Sequence, residues 1–355
     1  MKRYGHLYET VCSMENLKLA HKNARKGKSW YTDVKLVTEH EEEYLSALQS
    51  MMLNRTFHTS KYTVFMRREG QKDRLIYKLP YYPDRICQWA LIQVIEPILL
   101  KQFVSCTYSA IPGRGIHKAV KDIHAAIRKD PEGMRYCLKL DVRKYYPSID
   151  HTVLKTQLRR IFKDPGLLWL MDEIIDSTEG NVGIPIGNYF SQYAGNFYLS
   201  SFDHWIKEEK RVKHYFRYMD DICIFADNKE DLHALFLEVR DFMEQRLHLT
   251  IKDNWQVFPT FVRGLDFVGY RFFQHYTLLR KSTCQQFKRK MLNISRKVRQ
   301  HRELTYTEWC AVNSYKGWLI WCDSFRLAEK YLTPIQPFAN QFYIEHIKGK
   351  AGKAA

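Results

Sequence analysis

No apolar run in this 355-residue chain is long enough to cross a bilayer, and none follows the basic start MKRYGH, so neither a membrane span nor a leader is expected. The eight cysteines (Cys12, Cys87, Cys106, Cys137, Cys223, Cys284, Cys310, Cys322) include no CxxC pair and mostly sit in apolar surroundings. No zinc-binding or HNH-type module is apparent, and reduced core thiols rather than zinc ligands or disulfides are expected, in a soluble, cytoplasmic protein. Low-complexity tracts and internal repeats are absent as well. Acidic residues are in short supply, 39 Asp+Glu against 56 Lys+Arg, for a formal charge of +17. That balance suits a polyanionic partner, nucleic acid before an acidic membrane surface. Hydrophobic residues make up 45% of the chain. This is enough for real cores in a length that accommodates about two or three domains.

Gly/Pro clusters at 111–115 (IPGRG), 130–133 (DPEG) and 180–187 (GNVGIPIG) punctuate the chain. Between them the hydrophobic period changes. Ile116, Val120, Ile123 and Ile127 share one helical face over 116–129, whereas Leu138, Leu140 and Val142 alternate with Cys137, Lys139 and Asp141, predicting a strand that ends near a carboxylate. Residues 188–206 and 230–247 read as helices, the latter through Leu232, Leu235, Val239, Phe242 and Leu247; 214–218 and 222–226 read as strands about a tight turn. Strand, helix, helix, hairpin, helix is an α+β order rather than a regular βαβ winding. From Cys284 to Arg302 a seam of Phe287, Met291, Ile294 and Val298 is crowded by basic residues, with Trp309, Tyr315, Trp318 and Trp321 following. Such charge is either a solvated face or the grip of a helical nucleic-acid-binding domain.

Asp220 and Asp221 fall in the turn of KHYFRYMDDICIFA, where a lone Asp pair is ordinary turn chemistry. Asp141, in LKLDVRKYYPSID, adds a further carboxylate at the end of an apolar strand. Acids beside Leu, Ile and Phe cost several kcal/mol each unless a cation compensates. Two Mg²⁺ ions, about 3.5–4 Å apart, would do so, activating a 3′-hydroxyl and stabilising a leaving pyrophosphate in an in-line displacement.

Tyr218-Met219-Asp220-Asp221 resembles the YxDD box of reverse transcriptases, and LKLDVRKYYPSIDH resembles their first catalytic motif. In family order the chain also carries DRLIYKLPYYPDRICQWALI (73–92), YSAIPGRGIHKAV (108–120), GIPIGNYFSQYAGNFYLSSFD (183–203) and GLDFVGYRFF (264–273), the last similar to a primer grip. The resemblance runs from about Arg74 to Phe273. It implies a right-hand polymerase with fingers over 1–110, palm over 111–275 and a basic helical thumb over 276–355.

By that resemblance Asp141, Asp220 and Asp221 are the catalytic acids and metal ligands, for Mg²⁺ with Mn²⁺ as a substitute. Arg74 would approach the incoming triphosphate, as a guanidinium's paired donors suit. Tyr146 would be the steric gate against a ribose 2′-hydroxyl, or else a core aromatic. Lys252 would be a general acid or phosphate contact, or else a surface charge. Gly187 would let backbone approach the nucleotide, or simply open a helix. Tyr218, Gly269, Lys288, Arg289, Lys290, Arg296 and Lys297 would face nucleic acid.

One departure is informative. Most reverse transcriptases carry Gln-Gly-x-x-x-Ser-Pro where this chain has Ile186-Gly187-Asn188-Tyr189-Phe190-Ser191-Gln192. The IGxxxSQ form resembles the enzymes of diversity-generating retroelements, which copy a template-repeat RNA and misincorporate opposite adenines. A branched alkyl in place of a hydrogen-bonding amide removes a polar check on pair geometry, so lower fidelity is expected. The resemblance implies template RNA, cDNA, deoxynucleoside triphosphates and a small oligomeric accessory variability protein as partners. The alternatives are a maturase, retron or phage-defence reverse transcriptase, or a non-catalytic RNA-binding protein descended from a polymerase.

Overall fold

Where apolar residues recur every three or four positions, the computed structural model, which describes residues 3–69 and 72–348, forms helices. Residues 349–355 of the expected thumb lie outside the described residues. Two units are distinguished. The first comprises Met1–Gly115, Lys139–Ile224 and His233–Gln256; the second comprises Ile116–Leu138, Phe225–Leu232 and Val257–Ala355.

In the first unit, β1 (Thr63–Glu69) and β2 (Lys72–Lys78) form an antiparallel hairpin with Arg67 opposite Arg74. Helix Ile86–Leu99 is apolar on nearly every side and correspondingly buried, packing against helices Met14–Ala24 and Tyr189–Tyr198. Its Gln88 Oε1 accepts the N–H groups of Tyr189 and Phe190 at 2.8 and 3.2 Å. These are orphan donors of a helix whose first turn no side chain of its own caps. The expected helix over 188–206 is interrupted: Tyr189–Tyr198 ends at Leu199 and a short helix, Ser200–His204, follows.

A four-stranded sheet carries the acidic motifs. β3 (Tyr136–Asp141), β4 (Tyr215–Tyr218), β5 (Asp221–Ala226) and β6 (Gln256–Pro259) lie in the order β4-β5-β3-β6. Cys137 is as buried as Leu138 and Leu140, so the polar face expected for it is covered. Helix Lys229–Leu247 buries Leu232, Phe236, Val239, Met243 and Leu247. Leu235, expected in that stripe, gives way to Phe236, whose ring stacks on Trp255 at 3.6 Å.

In the second unit, helix Ile116–Lys129 has the expected bounds and buries Val120, Ile123 and Ile127. The strands β7 (Leu265–Phe267), β8 (Tyr270–Phe272) and β9 (Thr277–Leu279) form a meander. Helix Lys281–Arg299 buries Phe287, Met291 and Ile294 along the expected seam. Helix Tyr306–Leu319 opens on a capping box in which Thr305 and Glu308 satisfy each other's backbone N–H.

Candidate active site

β5 lies between β4 and β3, which places acids at the ends of adjacent strands. Tyr218 pairs with Asp221 across a turn of only Met219 and Asp220, and Met219 takes φ +58. Two-residue hairpins need such a left-handed residue at their first central position to match the twist of the strands. Asp141 closes β3. The chain after it pairs with 250–252: Arg143 N–H donates to the Thr250 carbonyl at 2.8 Å, and Lys252 N–H to the Asp141 carbonyl at 2.9 Å. That register delivers the Lys252 ammonium to Asp141 Oδ2 at 2.7 Å. From β3, Lys139 Nζ reaches Asp221 Oδ1 at 3.0 Å.

Burial, and then the adjoining Asp141 charge and a hydrogen bond to it, push the Asp220 carboxyl up to about 6. Two acids crowded together resist simultaneous ionisation. Asp141 Oδ1 is buried and accepts no hydrogen bond. A crowded, oxygen-only donor set with a buried lone pair to spare fits a hard divalent cation. Among the described residues, no three His, Cys, Asp or Glu side chains are already gathered around one point as a metal would require.

Tyr145 and Tyr146, adjacent in sequence, differ in burial and in contacts. Tyr145 is buried and donates to the Gly195 carbonyl. Tyr146, half-buried in the short turn Tyr146–Ser148, directs its hydroxyl at Met219 Sδ, 3.7 Å away. Burial and the Asp220 charge raise the Tyr146 phenol well above its ordinary range, while Arg74 pulls the other way. The charges of Asp141 and Lys252 thus act on Asp220, and those of Asp220 and Arg74 on Tyr146.

The Ile186-Gly187 turn docks on β2, with Tyr77 N–H donating to the Ile186 carbonyl at 3.0 Å. Gly187 has φ +127, and a Cβ there would run into the Tyr77 carbonyl. Its glycine is required by the docking of this turn on the hairpin that carries Arg74. Tyr218 is half-buried at the end of β4.

The remaining predicted residues belong to the second unit. Gly269 turns β7 into β8 with φ +88 and faces the Trp318 ring, which leaves no room for a Cβ. Arg289 and Lys290 line a groove of about 360 Å³ with Gln286, Asn293, Ala311 and Tyr315. Lys288 lies over the Tyr331 ring at 5.8 Å, and Arg296 is exposed. Lys297 is paired with Glu308 at 2.6 Å, so part of its charge serves the capping box.

Sequence reasoning missed Lys139 and Arg217. Lys139 shares the polar side of β3 with Asp141, a signal available in LKLD. Arg217 is fully buried in a strand that is otherwise apolar and aromatic, and it pairs with the equally buried Asp203.

The reverse transcriptase (RNA-dependent DNA polymerase) family model matches residues 66–272. Similar curated proteins include Protein YkfC of Escherichia coli, 24% identical over 234 residues, covering 54% of this chain and 61% of that one. Group II intron-encoded protein LtrA of Lactococcus lactis is 21% identical over 178 residues, 48% of this chain and 29% of LtrA. Nuclear intron maturase 1, mitochondrial, of Arabidopsis thaliana is 25% identical over 103 residues, 29% of this chain and 14% of the maturase. The chain therefore spans well short of the full length of the relatives it matches.

Proposed function

Because this chain belongs to the reverse transcriptase (RNA-dependent DNA polymerase) family, we propose that it copies an RNA template into cDNA from deoxynucleoside triphosphates, with Asp141, Asp220 and Asp221 as its catalytic acids. The observation that carries this reading is the crowding of Asp220 on Asp141, with Lys252 paired to Asp141 and Lys139 to Asp221. Reverse transcriptases generally use divalent metal ions. The three aspartates would hold Mg²⁺, or Mn²⁺ in its place, which would supply charge stabilisation for the attacking 3′-hydroxyl and the leaving pyrophosphate.

The protein's own groups do the rest. Arg74, on the hairpin that the Ile186-Gly187 turn supports, grips the triphosphate through its planar fork. Tyr146 lies beneath the sugar and collides with a 2′-hydroxyl. Lys252 offers a proton or a positive charge beside Asp141, where negative charge builds on the phosphates. Residues 1–110 serve as fingers, 111–275 as palm and 276–355 as thumb. In the thumb Lys288, Arg289, Lys290 and Arg296 neutralise the backbone of an RNA-DNA hybrid.

The finer reading is an error-prone enzyme of a diversity-generating retroelement, working with an oligomeric accessory variability protein. Its support is the IGxxxSQ form of residues 186–192. A second reading, a group II intron-type enzyme, is favoured by the names of LtrA and the plant maturase. Primer extension on an RNA template, followed by sequencing of the cDNA, tests all of this. Extension that needs divalent metal and vanishes in Asp220→Ala is expected, with errors concentrated opposite template adenine. Errors spread evenly over the bases select the second reading. A folded wild-type protein that extends nothing refutes the polymerase.

A further inference from the structure

The turn that presents Asp220 and Asp221 has an unusual foundation. Met219 holds φ +58, a conformation a non-glycine residue keeps only when its surroundings enforce it. Directly beneath lies Arg217, with no exposed surface. Its Nη1 donates to the Met219 carbonyl at 3.0 Å and to Asn196 Oδ1 at 3.3 Å. Its Nε and Nη2 grip the two Asp203 oxygens at 2.7 and 2.5 Å, and Nη2 also reaches the Asn196 carbonyl at 3.3 Å.

The clamp is fixed on every side. Tyr215 donates to Asp203 Oδ1 at 2.5 Å, Thr107 donates to Asp203 Oδ2 at 3.2 Å, and Asn196 donates to the Ser109 carbonyl at 2.5 Å. The Arg217 backbone is held as well, between the Cys106 carbonyl and the Tyr108 N–H. Burial alone would push the guanidinium down, but Asp203 more than offsets it, so the group stays charged. Of all these acceptors, only the Met219 carbonyl belongs to the turn.

We propose that Arg217 is a positioning residue: its buried fork, clamped by Asp203 and Asn196, holds the Met219 carbonyl and thereby sets where the turn presents Asp220 and Asp221. The inference rests on the reading of those two aspartates as the acids of a polymerase. A buried ion pair is weak evidence of stability, because apolar residues of similar volume often replace both partners without loss of fold. What apolar residues cannot replace is a donor to the Met219 carbonyl. A lysine cannot replace it fully either, since one ammonium lacks the rigid geometry that reaches Asp203 and Met219 together.

Two variants of the full chain separate a clamp from a core pair. Arg217→Met combined with Asp203→Leu removes both charges and keeps volume; Arg217→Lys keeps a cation opposite Asp203. Each is assayed for thermal unfolding, for Mn²⁺ binding without nucleic acid, and for primer extension against Mg²⁺ concentration. The double variant is expected to fold but to melt below wild type, because Tyr215, Thr107, Asn196 and the Met219 carbonyl lose buried partners; it should bind Mn²⁺ about tenfold or more weakly, as loss of one charge-assisted hydrogen bond implies, and need correspondingly more Mg²⁺. Arg217→Lys should fall between it and wild type. Wild-type Mn²⁺ affinity and Mg²⁺ dependence in either folded variant would overturn the proposal, and so would failure of both to fold, which assigns Arg217 to the core alone. If the wild type neither binds Mn²⁺ nor extends a primer, the polymerase reading has failed rather than the clamp.

Discussion

Lys252 Nζ stands 2.7 Å from Asp141 Oδ2, and the same two residues are joined through the backbone, Lys252 N–H to the Asp141 carbonyl, at 2.9 Å. The lysine is therefore placed by strand register, independently of the charge it carries. Replacing it should remove chemistry without moving the acids. Lys252→Met is expected to slow nucleotide addition by about 10²-fold, the lower end of what a positioned proton donor contributes, while Asp141→Ala abolishes it. Single-turnover incorporation over a pH series is the measurement. A Lys252→Met enzyme that keeps the wild-type rate and pH profile would return Lys252 to plain surface charge.

Asp164 governs a stability effect that has nothing to do with catalysis. Burial pushes its carboxyl up, but backbone N–H groups of Tyr8, Leu167, Leu7 and Gly166 together pull it below its ordinary value. Two of those donors open helix Pro165–Ile175, and the other two belong to the N-terminal segment at Leu7 and Tyr8. A depressed folded-state value means that the stabilisation is present above the unfolded value of about 3.9 and is lost as pH falls through the folded one. Asp164→Ala should cost about 1–2 kcal/mol at neutral pH, the worth of an N-cap. Denaturant titrations of both proteins at pH 7 and in acid should show that difference shrinking as the wild-type carboxylate is protonated. A constant difference across the range would mean that the side chain acts by packing alone.

Tyr146 lies against the Met219-Asp220 turn, its hydroxyl directed at Met219 Sδ, while Tyr145 is buried. Removing the Tyr146 ring should therefore spare the fold and relieve a collision. Tyr146→Ala is expected to lower discrimination against ribonucleotides by about 10- to 200-fold, the range over which a steric contact discriminates. Single-nucleotide kinetics with paired rNTP and dNTP decide it. Unchanged selectivity would make Tyr146 a packing residue.

How much of this was legible in the sequence depends on whether the cause was local. Helix Ile116–Lys129 could be bounded because its apolar stripe is regular and Gly/Pro clusters flank it. The hairpin at Asp220 could be placed because two apolar strands leave only two residues for the turn. In helix Lys229–Leu247 the sequence shows the stripe but not the choice of Phe236 over Leu235, since only Trp255, packed on it from outside the helix, decides between neighbours. Arg217 was beyond reach for the same reason. Nothing local in YFRYMDD announces that Asp203 and Asn196 will meet its guanidinium in the core. Lys139 stood in plain view beside Asp141, but alternation gives the face of a side chain and not its partner across the sheet.

Ile186 is held by its backbone, which accepts the Tyr77 N–H at 3.0 Å, and its neighbour Gly187 is fixed by the approach of the Tyr77 carbonyl. The side chain at 186 can thus be exchanged without disturbing the docking of this turn on the hairpin that carries Arg74. Most reverse transcriptases place a glutamine amide there, and an amide can test the geometry of a nascent pair where a branched alkyl cannot. Restoring it should widen the free-energy gap between right and wrong insertion by about 1–3 kcal/mol, or roughly 5- to 200-fold in selectivity. Ile186→Gln is therefore expected to lower misincorporation opposite template adenine more than it lowers total cDNA synthesis. Deep sequencing of products from one RNA template copied by both proteins measures the two quantities together. Equal error frequencies at adenine would leave Ile186 a packing residue and remove the support that IGxxxSQ lends to the retroelement reading.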